Sequence, residues 1–102
     1  MAITASVSSA ANMLHFANGS HVDSGTTAFS NTLGFTPRYV LCHNETDRIS
    51  FEWYEGQASG YSTKTVAAGT RTLETSGGIT VSGDTIGFTV IADKQYRWQA
   101  IG

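Results

Sequence analysis

The chain has 102 residues, a formal net charge of −2 and only 14% charged residues. This length fits one domain, and the absence of a Lys or Arg cluster argues against nucleic-acid binding by phosphate neutralisation. No apolar run approaches the ~20 residues of a membrane-spanning helix, and the N-terminus lacks the basic and apolar regions of a secretory signal. The single cysteine, Cys42, excludes an intrachain disulfide and fits synthesis in a reducing cytoplasm.

The N-terminal segment differs in composition from the rest of the chain. Residues 1–12 are mostly Ala, Ser and Thr, which is too little apolar surface to offset the entropy of ordering the segment alone. We expect residues 1–12 to form an extended arm or an edge strand that orders on a neighbouring subunit; the alternative is a short helix over residues 8–17. The apolar side chains expected to anchor the arm to a partner are Ile3, Val7, Met13, Leu14 and Phe16.

Strand candidates begin after the arm. Residues 13–17 are the first, and the turn signal Asn18-Gly19 is expected to end it. Residues 26–33 are the second candidate. Pro37 then stands at the start of the next strand, where its missing N–H does least harm.

The clearest local pattern is a β-hairpin. Residues 38–43 and 48–56 are joined by Asn44-Glu45-Thr46-Asp47, whose short polar side chains favour a turn. The second of these runs alternates with the period of two expected of a half-buried antiparallel strand. Its two faces carry Ile49, Phe51 and Trp53 on one side and Ser50, Glu52 and Tyr54 on the other.

Further short strands are predicted at residues 61–67, 70–75, 79–81, 86–90 and 95–101, with turn signals between them. Seven to nine short strands without a helical period predict an all-β fold: a single antiparallel β-sandwich or jelly-roll-like domain over residues 13–102. Its predicted core comprises Leu33, Phe35, Val40, Cys42, Ile49, Phe51, Trp53, Val66, Leu73, Ile79, Val81, Ile86, Phe88, Val90, Tyr96 and Trp98.

The titratable residues suggest no catalytic or metal site. His21 and Asp23 supply two ligands, whereas a zinc site needs three or four. Glu52 and Glu55 flank aromatic residues as in a glycosidase cleft, but a solvated strand face and a strand end account for both. The sequence therefore predicts no enzyme activity, no metal and no cofactor.

Tyrosines are the side chains most suited to binding. On an outer face or rim, a tyrosine can stack on a sugar or fill a partner's pocket. The candidates are Tyr39, Tyr54 and Tyr61.

Residues 33–102 carry a series of short motifs. They are Gly34-Phe35-x-Pro37-x-x-Val40, Asn44-x-Thr46-Asp47-Arg48, Glu52-Trp53-Tyr54-x-Gly56, Ala68-Gly69-Thr70-Arg71-Thr72, Ser76-Gly77-Gly78-Ile79-Thr80-Val81, Gly87-Phe88 and Trp98-x-Ala100. In these motifs the chain resembles a class of small β-sandwich proteins of tailed-bacteriophage particles, which occur as capsid decoration (cement) proteins and as tail-fibre domains. The motifs consist of turn residues and core aromatics, so they specify a fold better than a role.

The resemblance implies a virion component on the capsid surface, made in the bacterial cytoplasm. Its implied partners are the phage major capsid protein and further copies of the chain, as a dimer or trimer. The small size and the lack of a long fibrous segment favour capsid decoration over a tail fibre. The competing interpretation is a receptor- or glycan-binding module at a tail tip, which would combine Tyr39, Tyr54 and Tyr61 with Glu52, Asn44 or Asp47.

Overall fold

The computed structural model describes residues 14–22, 24–25 and 28–102, and within these it contains nine β-strands and no helix. The strands are β1 (Phe16–His21), β2 (Ala28–Thr32), β3 (Tyr39–Asn44), β4 (Ile49–Tyr54), β5 (Ser62–Thr65), β6 (Arg71–Glu74), β7 (Thr80–Ser82), β8 (Thr85–Thr89) and β9 (Tyr96–Ile101). The all-β prediction is confirmed. The predicted arm, residues 1–12, lies outside the described residues, together with Met13.

The described strands form two antiparallel sheets that pack face to face as a sandwich. The larger sheet has the order β1-β9-β3-β4-β5-β6, and the smaller has the order β2-β8-β7. Strand β9 lies between β1 and β3, so it joins the beginning of the described chain to the central hairpin. Contacts between the two sheets include the rings of Phe29 and Trp98, with centroids 6.1 Å apart, and those of Phe88 and Tyr96, 6.2 Å apart.

The predicted hairpin is β3–β4, with Val40 opposite Trp53 and Cys42 opposite Phe51. Its turn is stabilised by Asn44, whose Oδ1 accepts the Asp47 N–H at 3.0 Å. Strand β4 was predicted to begin at Arg48 but begins at Ile49, because Arg48 adopts a left-handed conformation with φ of 58°.

The core lies between the sheets, and most of its predicted members are buried or packed against it. The buried hydrophobic residues are Val40, Cys42, Trp53, Ile79, Ile86, Phe88, Val90, Tyr96, Trp98 and Ala100. The predicted core lacked Ala100, and it lacked Phe29, which packs against this cluster. Cys42 packs as a small hydrophobe, and burial raises the pKa of its thiol to about 12.

Leu73 was wrongly assigned to the core. It lies opposite Thr63 on the outer face of the larger sheet and is 56% exposed. The three other residues of this strand, Arg71, Thr72 and Glu74, are also exposed or only half-buried. Strand β6 therefore extends past the cover of the smaller sheet, and neither of its faces reaches the core.

The turn predicted at Asn18-Gly19 is also wrong, because both residues lie within β1. Gly19 stands opposite Trp98, and a Cβ added to it would lie 2.7 Å from the indole Nε1. Its φ is not positive. Glycine is required here by close packing of a strand against a ring, not by a turn.

Candidate functional site

The outer face of the larger sheet presents its side chains in three rows that run across the strands. The aromatic row contains Phe16, Ile101, Tyr39 and Tyr54. The central row contains Asn18, Gln99, Leu41, Glu52, Thr63 and Leu73. The third row contains Ser20, Arg97, His43, Ser50, Thr65 and Arg71.

Tyr39, Tyr54, Glu52 and Arg71 form a hydrogen-bonded group that we call the tyrosine cluster. The Tyr39 hydroxyl donates to Glu52 Oε2 at 2.7 Å, and the Tyr54 hydroxyl donates to the same oxygen at 3.1 Å. Arg71 Nη2 donates to Glu52 Oε1 at 3.1 Å. The two phenol rings lie 5.4 Å apart at an interplanar angle of 56°. Glu52 therefore fixes two aromatic side chains from neighbouring strands in one orientation.

The surroundings of Tyr39 in the tyrosine cluster favour the neutral form of its phenol. Partial burial, followed by the hydrogen bond to Glu52 and the negative charge of that carboxylate, raises the pKa of Tyr39 well above its ordinary value. Both oxygens of Glu52 accept hydrogen bonds, and Arg71 balances its charge. The cluster is suited to holding ring surfaces and hydroxyl groups in place for a ligand or partner.

Next to the tyrosine cluster, the outer face has a depression of about 490 Å³. Its floor includes Leu41, and polar side chains surround it. His43 Nδ1 lies 2.7 Å from Ser50 Oγ, and Arg97 Nε donates to Glu45 Oε1. The residues of its lining are Asn18, Gly19, Ser20, Leu41, His43, Arg97, Trp98 and Gln99. An apolar floor with amides and hydroxyls around it is a common arrangement for a small polar ligand.

The structure brings two of the three candidate tyrosines together. Tyr39 and Tyr54 are direct neighbours across β3 and β4, and Tyr54 is exposed. Tyr61 lies in the β4–β5 connection, where its N–H donates to Ala58 O, and it is not part of the tyrosine cluster. Of the three further residues proposed beside them, Glu52 belongs to the tyrosine cluster, whereas Asn44 and Asp47 stabilise the β3–β4 turn.

The candidate anchor residues divide between described and undescribed parts of the chain. Leu14 is 75% exposed and Phe16 is 55% exposed, so both apolar side chains face away from the core. Ile3, Val7 and Met13 lie outside the described residues. A membrane-spanning helix is not found in the described part of the chain.

Several of the other carboxylates and histidines in the described part of the chain are engaged in local contacts. Glu55 lies 3.8 Å from Arg38, and Lys94 lies 3.2 Å from Asp47. The His21 ring packs edge-on against Phe29, with centroids 4.9 Å apart. Within the described ranges, no group of three or more His, Cys, Asp or Glu side chains is arranged to hold a metal ion.

Sequence reasoning missed the depression and the role of Glu52. The alternation of Arg97 and Gln99 with Tyr96 and Trp98 was visible, and it places the first pair on the outer face. Their neighbours on β1 were hidden by the expected turn at Asn18-Gly19. Glu52 was interpreted as part of a solvated strand face and, in the glycan-binding alternative, was placed beside the tyrosines. Its contact with Arg71 was not predicted, because Arg71 comes from a distant strand.

The fold and this face define an all-β sandwich with an organised aromatic and polar surface on its larger sheet. Comparisons of the chain with family models, with curated proteins and with solved structures found no match.

Proposed function

We propose that this chain is a non-enzymatic structural protein of a bacteriophage virion, and that it decorates the outside of the capsid. The motif resemblance over residues 33–102 supports the class of protein. The compact β-sandwich supports a module that acts through its surfaces.

The observation that carries the proposal is the placement of Leu14 and Phe16. Both side chains are apolar and exposed, and they directly follow the uncharged segment 1–13. Exposure of an apolar group to water is unfavourable, and the free energy falls when a partner covers the group. The apolar side chains expected to anchor the segment thus continue onto the folded domain, where they form a surface suited to a capsid protein or to another copy of the chain.

In this function the domain acts by binding. A protein that binds the assembled shell, and not its free subunits, shifts the equilibrium toward the shell by mass action. The implied partner is the phage major capsid protein. No catalytic step is assigned to the chain, and Glu52 acts by positioning Tyr39 and Tyr54.

The first test is the copy number of the chain in purified particles, relative to the major capsid protein. A copy number comparable to that of the capsid protein supports decoration of the head. A few copies per particle would move the chain to the tail, and none would overturn the virion assignment.

The second test uses matched variants in a binding assay with undecorated capsids. Phe16→Ser and Leu73→Ser each remove one apolar side chain, and the two are equally exposed, at 55% and 56%. Phe16→Ser, or deletion of residues 1–12, is expected to weaken capsid binding while far-ultraviolet circular dichroism stays unchanged. Leu73→Ser is expected to bind normally. Equal binding by all of these variants would contradict the proposed surface.

The second candidate function is recognition of a glycan or receptor at a tail tip. The tyrosine cluster favours it, because Glu52, which orients the two phenol rings, lies opposite Leu41, and Leu41 lines the depression of about 490 Å³ together with amide and hydroxyl side chains. Tyr54→Ala should abolish binding on a glycan array, whereas Tyr61→Ala should not. An array on which the wild-type protein binds nothing would remove this candidate.

A further inference from the structure

We propose that two copies of this chain pair through β1 as a two-fold dimer, so that their larger sheets join edge to edge into one continuous sheet. The inference is independent of the virion assignment, because it depends on the geometry, the exposed apolar side chains and the charge of the strand edges.

The first step is the direction of the β1 backbone groups. His15 and Gly102 exchange two backbone hydrogen bonds, at 2.6 and 2.9 Å. In an antiparallel ladder such pairs alternate with non-bonded pairs, so residues 17, 19 and 21 point their N–H and C=O groups toward β9. Phe16, Asn18 and Ser20 point theirs away from it, and no strand in the described ranges pairs with that side of β1. The exposed edge therefore offers three N–H and three C=O groups.

The second step is the lack of protection on this edge. Natural sheets guard their edges with charged side chains, prolines, bulges or very short strands. Strand β1 reads Phe-Ala-Asn-Gly-Ser-His, pairs in regular register over six residues and has none of these features. At the opposite edge of the same sheet, β6 carries Arg71 and Glu74. One edge of the larger sheet is thus protected and the other is not.

The third step is the exposed apolar surface around β1. Leu14, Phe16 and Val22 are 75%, 55% and 58% exposed. Strand β2, an uncharged edge of the smaller sheet, exposes only Ala28, Ser30 and Thr32 on its solvent side. Open backbone groups and exposed apolar side chains therefore coincide at β1.

The occupant follows from the self-complementarity of the segment. Placing Asn18 opposite Asn18 of a second copy pairs Phe16 with the other copy's Ser20, and Ser20 with the other copy's Phe16. Each of these three pairs exchanges two backbone bonds, six in all, and every open group of β1 is used. The same register continued outward sets Leu14 opposite the other copy's Val22 on both sides. A shift by two residues in either direction leaves one of the three positions unpaired.

Charge also favours a second copy as the partner. Each chain carries a net charge of −2, so the electrostatic repulsion between two copies is smallest where they meet through uncharged segments. The segment from Leu14 to Val22 contains no Asp, Glu, Lys or Arg. The paired residues lie on matching faces, so the core sides of both sheets stay on one side of the joined sheet, as a two-fold axis requires.

The test exploits the self-facing position of Asn18. Asn18→Lys alone and Asn18→Asp alone place like charges opposite each other and should each weaken dimerisation about tenfold or more. An equimolar mixture of the two variants should recover a dimer that contains one copy of each. Thr63→Lys is the matched control, since it adds the same charge to the same row of the outer face but on an interior strand. Sedimentation equilibrium on the full chain, from about 1 µM to 1 mM, measures the association.

A covalent readout complements this test. Hydrogen-bonded antiparallel pairs have Cα atoms about 5.5 Å apart, within the range of about 4.4–6.8 Å that a disulfide bridges. Under mild oxidation Asn18→Cys should therefore form a covalent dimer, and Thr63→Cys should not.

Three outcomes would overturn the proposal. One is a wild-type chain that stays monomeric over the whole concentration range. This outcome counts against the proposal even if a chain lacking residues 1–13 dimerises, because the N-terminal segment of the same chain would then cover β1. Another is a dimer that Asn18→Lys leaves intact. The last is a failure of the Lys and Asp variants to associate when mixed.

Discussion

Replacing Gly19 by alanine tests whether the indole of Trp98 closes the space above β1. The added Cβ would lie 2.7–2.8 Å from the Nε1, Cε2 and Cζ2 atoms of Trp98, whereas carbon atoms in contact normally lie about 3.5–4.0 Å apart. The backbone or the ring must therefore move. The ring is buried and packs against Phe29 of the other sheet, with centroids 6.1 Å apart, so its movement disturbs the core.

Two opposing effects set the magnitude. Overpacking a core by a methyl group costs about 1–3 kcal/mol, and replacing a strand glycine by alanine gains about 0.5–1 kcal/mol. We expect Gly19→Ala to lower the free energy of unfolding by about 1–2 kcal/mol, and Tm by about 5–10 °C for a domain of this size. Urea unfolding followed by tryptophan fluorescence, with a thermal scan by circular dichroism, measures both quantities.

The control is Gly25→Ala, since a Cβ at Gly25 meets nothing within 4 Å, and its stability should equal that of the wild type or exceed it slightly. A double-mutant cycle with Trp98→Phe identifies the cause, because phenylalanine lacks the indole Nε1. The two substitutions should couple by at least about 0.5 kcal/mol. If Gly19→Ala is as stable as Gly25→Ala, or if the coupling is zero, the packing argument is wrong.

Three further predictions concern pH and buried polar groups. The pKa of Cys42 is near its ordinary value in the unfolded chain but about 12 in the folded one, so this thiol should lower the free energy of unfolding by about 1.4 kcal/mol per pH unit as pH rises from about 9 toward 12. Cys42→Ala should be less stable than the wild type at neutral pH but should lose less stability as pH rises. Parallel pH profiles of the two proteins would contradict this. Glu52→Gln should lower the pKa of Tyr39 toward its ordinary value without restoring it fully, since burial is the largest cause of its elevation. Titration of the phenols by ultraviolet absorbance measures this pKa, and an unchanged titration would refute the role of the carboxylate. Asn44→Ala leaves the Asp47 N–H without its acceptor and should destabilise the domain by about 1–3 kcal/mol in urea unfolding, and no loss would show that the turn does not depend on the side chain.

The β3–β4 hairpin could be predicted from the sequence because its determinants are local. Alternation places Glu52 and Tyr54 on one face, and the turn residues from Asn44 to Asp47 fix the register that brings Tyr39 beside Tyr54. Three of the four members of the tyrosine cluster follow from this hairpin. Arg71 does not, because its approach to Glu52 depends on the pairing of β4, β5 and β6.

The errors have the opposite origin. The reason for glycine at position 19 is the ring of Trp98, which the chain supplies only in its ninth strand. The exposure of Leu73 depends on how far the smaller sheet extends over the larger one, and no local pattern encodes that extent. Sequence alternation shows that a strand has two different faces, but the neighbouring sheet determines whether either face is buried.

The position of β9 has a consequence for synthesis on the ribosome. Among the strands in the described part of the chain, β1 pairs only with β9, which is synthesised after the other eight. A nascent chain that ends before residue 96 lacks the strand with which β1 pairs, although the other eight described strands have already been made. The unprotected edge of β1 therefore forms only after β9 has been synthesised, so nascent chains shorter than this do not yet present that edge to one another.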